Sequence, residues 1–203
     1  MTPDHDHTPN HHAHHPGFAG PKGLALAVHG RHRARLAVRL AGVAAGDIAV
    51  DVGSGPGGAV RGAARAGATA IGVEPSRVMR VVAQVLSLAR RGTRYVDGTA
   101  EAVPLADGTA TVVWSVATVH HWQDVDAGIR EARRLLRPGG RFLAVERHTV
   151  AGAQGTASHG WTPAQAETFA AHCRALGFES VRVEQDRAGD MDVLAVVAVT
   201  PSG

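Results

Sequence analysis

Cysteine is almost missing. Cys173 is the single one in 203 residues. No intrachain disulfide can form, and no cysteine-ligated zinc site can be assembled. That suits a reducing compartment, and the expected location is cytoplasmic. Long apolar runs are missing as well. None reaches the ~18 residues that a membrane helix needs, and the N-terminus lacks the greasy segment of a secretory signal, so no membrane partner is expected. Nor does one sign of charge dominate: 21 basic residues face 18 acidic ones, for a net +3. Such a mildly basic surface is either simply solvated or attractive to an anionic substrate or nucleic acid. What is present is globular in character, 44% apolar and 19% charged, on a chain long enough to bury a core as one domain.

Residues 1–20 stand apart. His5, His7, His11, His12, His14 and His15 are interleaved with Pro and Gly, and nothing there can pack, so a disordered tail is expected. Its imidazoles could bind Zn, Ni or Cu, or their affinity for metal is incidental. No dedicated metal site is assigned. The folded domain is expected over 21–203.

Within it, residues 29–42 show helix-like spacing closed by Gly42, with Arg31, Arg33, Arg35 and Arg39 read as a solvated face or a contact for an anion. Short apolar runs then alternate with helical stretches. Strands are expected at 47–52, 70–74, 93–96, 111–116, 141–146, 179–184 and 193–200. Helices are expected at 58–66, 75–90, 125–136 and 162–176, the last opened by Thr162-Pro163 and closed by Gly177. Alternation of this kind implies a parallel sheet with helices on both faces. The final two strands are joined only by Arg187-Ala188-Gly189-Asp190, too short for anything but an antiparallel pair. The expected fold is therefore α/β, Rossmann-like: a seven-stranded, mostly parallel sheet whose last strand is reversed.

The first strand runs into Asp51-Val52-Gly53-Ser54-Gly55-Pro56-Gly57-Gly58. Gly53, Gly55 and Gly58 satisfy G-x-G-x-x-G between strand and helix, and acidic Glu74 follows about 20 residues later, placed to accept two ribose hydroxyls. These features alone fit a dinucleotide or S-adenosylmethionine equally. Asp51 separates them. A carboxylate at the end of this strand would repel a pyrophosphate, whereas S-adenosylmethionine carries an ammonium and a sulfonium. The plainer reading of Asp51 is a turn-capping residue.

At this point five segments in order acquire a meaning. Asp51–Gly57 resembles motif I of the class I S-adenosylmethionine-dependent methyltransferases. Gly72-Val73-Glu74-Pro75-Ser76, Gly98-Thr99-Ala100-Glu101-Ala102-Val103-Pro104-Leu105, Val119-His120-His121-Trp122 and Leu135-Leu136-Arg137-Pro138-Gly139-Gly140-Arg141-Phe142 resemble that family's later segments. The similarity covers about residues 45–147 and is strongest to small-molecule enzymes like those of ubiquinone and menaquinone biosynthesis. The resemblance implies S-adenosyl-L-methionine as cofactor, with contacts at Asp51, Gly53, Ser54, Gly55, Gly57, Glu74, Pro75, Thr99, Ala100, Glu101 and Ser115. Two departures stand out. Thr99 replaces the Asp that often binds the adenine amino group, and Thr111 stands where relatives are often acidic; the acidic residues that bind Mg near the end of that strand in metal-dependent relatives are absent, which argues against a catecholate-type metal site.

Methyl transfer needs an aligned nucleophile and, for many carbon or oxygen acceptors, a base. His120 and His121 follow the fourth strand at the ligand-binding edge and are the catalytic candidates, the alternative being a structural pair with Trp122 in the core or beside the cofactor. Glu146-Arg147-His148 is a second site-facing group, and His159 and Trp161 either cover the substrate or form a plain loop. Asn-Pro-Pro-Tyr, the mark of adenine-amine methylation, is absent, since 115–118 reads Ser-Val-Ala-Thr. The expected acceptor is a small-molecule O, N or C nucleophile rather than nucleic acid. The alternatives are a methyltransferase fold that binds without turnover, and a nucleic-acid methyltransferase working through the Arg face.

Overall fold

The computed structural model describes residues 21–154 and 159–203, with helical backbone alone over 21–29. The His-rich tail and its metal reading lie outside the described residues. The elements are α1 (Pro21–Leu40), β1 (Ile48–Val52), α2 (Gly58–Arg65), β2 (Thr69–Val73), α3 (Arg77–Leu86), β3 (Thr93–Val96), β4 (Ala110–Val116), a 3-10 turn (Val119–His121), α4 (Val125–Leu135), β5 (Leu136–Arg147), α5 (Pro163–Ala175), β6 (Glu179–Ala188) and β7 (Met191–Val199). They build a seven-stranded sheet in the order β3-β2-β1-β4-β5-β7-β6. The first five strands are mutually parallel. β7 runs antiparallel to both β5 and β6, between which it is inserted. The Rossmann-like α/β expectation with a reversed last strand holds.

Strand period explains how both faces are covered. Along β1, Val50 and Val52 join the apolar cluster under α4 and α5, while Ala49 joins the cluster under α1 and α2. Along β5, Phe142 and Ala144 face the first layer, Leu143 and Val145 the second. Phe142 stacks on Phe178 with ring centroids 5.3 Å apart. The reversal of strand order between β1 and β4 opens a crevice at the carboxyl ends, where ligands bind in such sheets.

Four boundaries differ by four residues or more from the sequence-based expectation, one of them the end of β6, at Ala188 instead of 184. α1 begins at Pro21, well before His29. β5 begins at Leu136, because Leu136 pairs with Ala110 before a register shift carries the chain through Pro138-Gly139-Gly140. α3 ends at Leu86 instead of near Arg90, closed by non-helical Ser87. α5 starts as expected, with a full capping box between Thr162 and Gln165. No helix among the described residues is long and apolar enough to cross a membrane.

Candidate cofactor and active site

The turn after β1 is held by β2: the amides of Gly53 and Ser54 both donate to Val73 O, at 2.9 and 3.0 Å. Gly53, Gly55 and Gly57 take φ of 76°, 50° and 77°, a region L side chains rarely adopt. Gly53 has a second constraint, since a Cβ there would lie 2.7 Å from Thr118 Oγ1. Glu74 closes the turn from the far side. Its Oε2 accepts from Gly55 N and its Oε1 from Ser76 N, both at 2.9 Å. A carboxylate has about four acceptor positions, so each oxygen keeps one for a ribose hydroxyl. Arg80 braces the same corner through Glu74 O and through Asp97 at 2.9 Å.

Above the turn is a cleft of about 190 Å³, lined by Asp51, Gly53, Ser54, Gly55, Arg33 and Thr118 among others. It is smaller than the roughly 300–1,000 Å³ of a whole-ligand pocket, so it fits one end of an extended ligand. Asp51 is 3% exposed. Burial pushes its carboxyl up to about 7, the nearby indole of Trp114 holds it back, and the charge of Glu74 adds to the rise. The Trp114 indole N–H and the Ser54 hydroxyl are buried without a formed hydrogen bond. Ser54 belongs to the cleft wall, and its hydroxyl lies beside Gly72, where an added Cβ would come within 2.6 Å of it.

Arg33 departs from the solvated reading of the arginine segment. It does not belong to a solvated arginine face; it is half-buried and lines the cleft. Burial lowers its pKa and the charge of Glu146 raises it, and its Nη2 lies 3.5 Å from Met191 Sδ. Helical spacing carried the signal, since Arg33 shares its face with buried Leu36 and Ala37 at i+3 and i+4. Arg39 stays on the exposed face, where it pairs with Asp186 at 2.7 Å. Thr118 was also missed. It donates to Val52 O at 3.0 Å and meets Ser115 Oγ at 2.5 Å.

Other residues named from the sequence are divided. Asp51, Gly53, Ser54 and Gly55 come together in the cleft, with Glu74 beside them. Gly57 is buried at the start of α2, where a Cβ would strike the Tyr95 hydroxyl. Ser115 is fully buried behind Thr118 and does not line the cleft. Glu101 caps a neighbouring turn: its Oε1 accepts from Gln123 N at 2.8 Å, and despite desolvation its hydrogen bonds, one from Thr99, hold its pKa down. Pro75 and Thr99 are exposed, Ala100 buried.

The 3-10 turn sets His120 beside β5. Its Nδ1 lies 2.9 Å from Oε2 of Glu146, whose side chain has no exposed surface. The rings of His121 and His159 flank it. His148 is tied to Asp192 O through its amide. Trp161 and Trp122 are core residues, packed on Phe169 at 4.8 and 6.2 Å. No group of three or more His, Cys, Asp or Glu among the described residues is placed to hold a metal ion. A larger, open depression of about 440 Å³ lies between α4 and the C-terminal segment, at Leu136, Pro138 and Thr200. It sits at the amino end of β5, away from the crevice and its ionisable groups.

Residues 50–144 match the family described as a methyltransferase domain. The ubiquinone/menaquinone biosynthesis C-methyltransferase UbiE of Rubrivivax gelatinosus is 38% identical over 82 residues, 39% of this chain and 31% of the relative. The uncharacterized methyltransferase YcgJ of Bacillus subtilis is 32% identical over 80 residues, covering 38% of this chain and 32% of the relative. Its crystal structure superposes with a TM-score of 0.67 at 16% identity, over 85% of this chain and 99% of that one. A Haloferax volcanii methyltransferase-fold protein, solved in complex with the Trm112 methyltransferase activator, gives a TM-score of 0.74 at 22% identity, over 89% and 94% of the two chains. The sequence matches span about a quarter to a third of the curated relatives' length. With the strand order and the glycine turn, these likenesses make the chain similar to the class I S-adenosylmethionine-dependent methyltransferases, with UbiE and YcgJ among its relatives.

Proposed function

We propose that the protein binds S-adenosylmethionine across the glycine turn and transfers its methyl group to a small-molecule nucleophile. One observation carries this reading: the cleft sets a buried carboxyl, Asp51, and a half-buried guanidinium, Arg33, on its walls. That pair complements a zwitterion. The ammonium of the cofactor's amino-acid end meets Asp51 and its carboxylate meets Arg33, each gaining strength from the low local dielectric. Ser54 supplies a further hydrogen bond. Glu74 receives the ribose hydroxyls, and the loop at Thr99–Glu101 borders the adenine. The bound cofactor supplies an electrophilic methyl on a sulfonium. The chain aligns it, excludes water, and offers His120, with His121 beside it, at the crevice edge to handle a proton.

A structure with S-adenosylhomocysteine tests the assignment. The amino-acid end should lie between Asp51 and Arg33, with the ribose on Glu74. A ligand bound elsewhere, or with its amino-acid end away from Asp51, contradicts it.

A second reading, an anionic polymer as acceptor, has one observation in its favour. Desolvation lowers the pKa of Arg65, and the charges of nearby Arg90, Arg61, Arg31 and Arg35 lower it further. Retention on RNA or DNA that weakens steeply with salt would support it, and no retention at low salt would dismiss it.

A further inference from the structure

We propose that Glu146 fixes the tautomer of His120 so that His120 Nε2 removes the proton of a phenol or enol hydroxyl, making the acceptor a planar hydroxyl compound methylated on oxygen. This rests on the methyl-transfer reading above.

Both carboxylate oxygens of Glu146 are committed. Oε1 accepts from the peptide N–H of Val119 at 2.7 Å, a donor that cannot change role. Oε2 lies 2.9 Å from His120 Nδ1. An acceptor-only carboxylate requires the proton on Nδ1, which in the neutral ring leaves Nε2 with a bare lone pair. Glu146 has no exposed side-chain surface, and the His120 side chain is 18% exposed, so the ring is held from inside and open outward. Thr118 of the cleft wall is two residues away. The His121 and His159 rings lie 4.0 and 5.1 Å from that of His120, giving π-faces suited to a flat acceptor.

The step balances. The hydroxyl proton passes to His120 Nε2, the oxygen–methyl bond forms, and the methyl–sulfur bond breaks with its electron pair kept by sulfur. The sulfonium charge is lost and an imidazolium charge appears against Glu146, which stabilises it. A thioether acceptor has no proton to give and would leave this arrangement without use. Glu146 touches no reacting atom and is a positioning residue; His120 is the catalytic one.

The test is a two-bond 15N–1H spectrum of the histidines in the full chain with S-adenosylhomocysteine, His120 being assigned with H120Q. The wild type should show the Nδ1–H tautomer at His120. In Glu146→Gln the single amide oxygen stays on Val119 N–H, the NH2 group faces Nδ1, and the tautomer should switch to Nε2–H. An Nε2–H tautomer in the wild type overturns the proposal, and so does an unchanged Nδ1–H form in a folded E146Q protein. Turnover with S-adenosylmethionine and three probes, a phenol, benzylamine and an alkyl thiol, adds a second readout. Phenol methylation that falls ~100-fold or more in His120→Asn supports it, whereas methylation of the amine or thiol untouched by that change overturns the acceptor class. Calorimetry with S-adenosylhomocysteine keeps the two readings apart: no binding sinks methyl transfer, while the tautomer result stands on its own.

Discussion

Asp51 and Trp114 are paired across the parallel ladder of β1 and β4, which puts the most strongly perturbed carboxyl of the cleft beside a buried indole N–H. The indole moderates the carboxyl without satisfying it. A cation beside Asp51 would favour its ionised form.

Free of ligand, the protein should lose stability as pH rises from about 4 to about 7. Asp51 moves from 3.8 to about 7 on folding, so in that window the folded state holds more protons than the unfolded state. At roughly 1.4 kcal/mol per unit the penalty approaches about 4 kcal/mol above neutrality. Urea unfolding at pH 5 and pH 8 should therefore show a larger loss for the wild type than for Asp51→Asn. Equal losses in the two proteins would mean that Asp51 is not perturbed as described.

Cofactor binding should release a proton. An ammonium beside Asp51 favours the ionised carboxyl and lowers its pKa from about 7. Affinity for S-adenosylhomocysteine should rise between pH 6 and pH 8, and calorimetry in buffers of different ionisation heat should count the proton. In Asp51→Asn both the rise and the release should disappear.

Arg33→Ala should weaken S-adenosylhomocysteine by about 10- to 100-fold, the scale of one charge-assisted hydrogen bond at about 1.5–3 kcal/mol. Arg35→Ala, on an exposed position of the same helix, should leave binding within twofold. Equal effects at both positions would point to general surface charge.

Gly53→Ala should cost about 1–3 kcal/mol and impair cofactor binding. The new methyl would meet Thr118, which cannot retreat without breaking its bonds to Val52 O and Ser115. Chemical denaturation measures the first effect and ligand titration the second. Wild-type values for both would remove Thr118 from the account.

The parts legible in the sequence are those set by local pattern. The reversed last strand followed from the shortness of Arg187–Asp190, and the glycine turn from its position between an apolar run and a helix. The Arg33 signal was present at i+3 and i+4 but was masked by the arginines around it. Thr118 gave no signal, because its place depends on Ala117, a non-glycine residue at φ 58°. The structural part of Glu101 was not legible: one of its oxygens, Oε1, accepts from the amides of Gln123 and Asp124, residues about 20 positions away in sequence. The His120–Glu146 pair joins residues far apart in sequence, and it appears only once β4 and β5 are aligned with Val116 against Val145.

The central claim is that the cleft at Asp51 and Arg33 takes the amino-acid end of S-adenosylmethionine. Calorimetric titration of the full chain with S-adenosylhomocysteine at pH 8, beside NAD, tests it most directly. One saturable site is expected, with Kd below about 100 μM, some −5.5 kcal/mol, weakened at least tenfold in Asp51→Asn and in Arg33→Ala, and no comparable binding of NAD. S-adenosylhomocysteine affinity poorer than about 1 mM, or tighter binding of NAD, would contradict it.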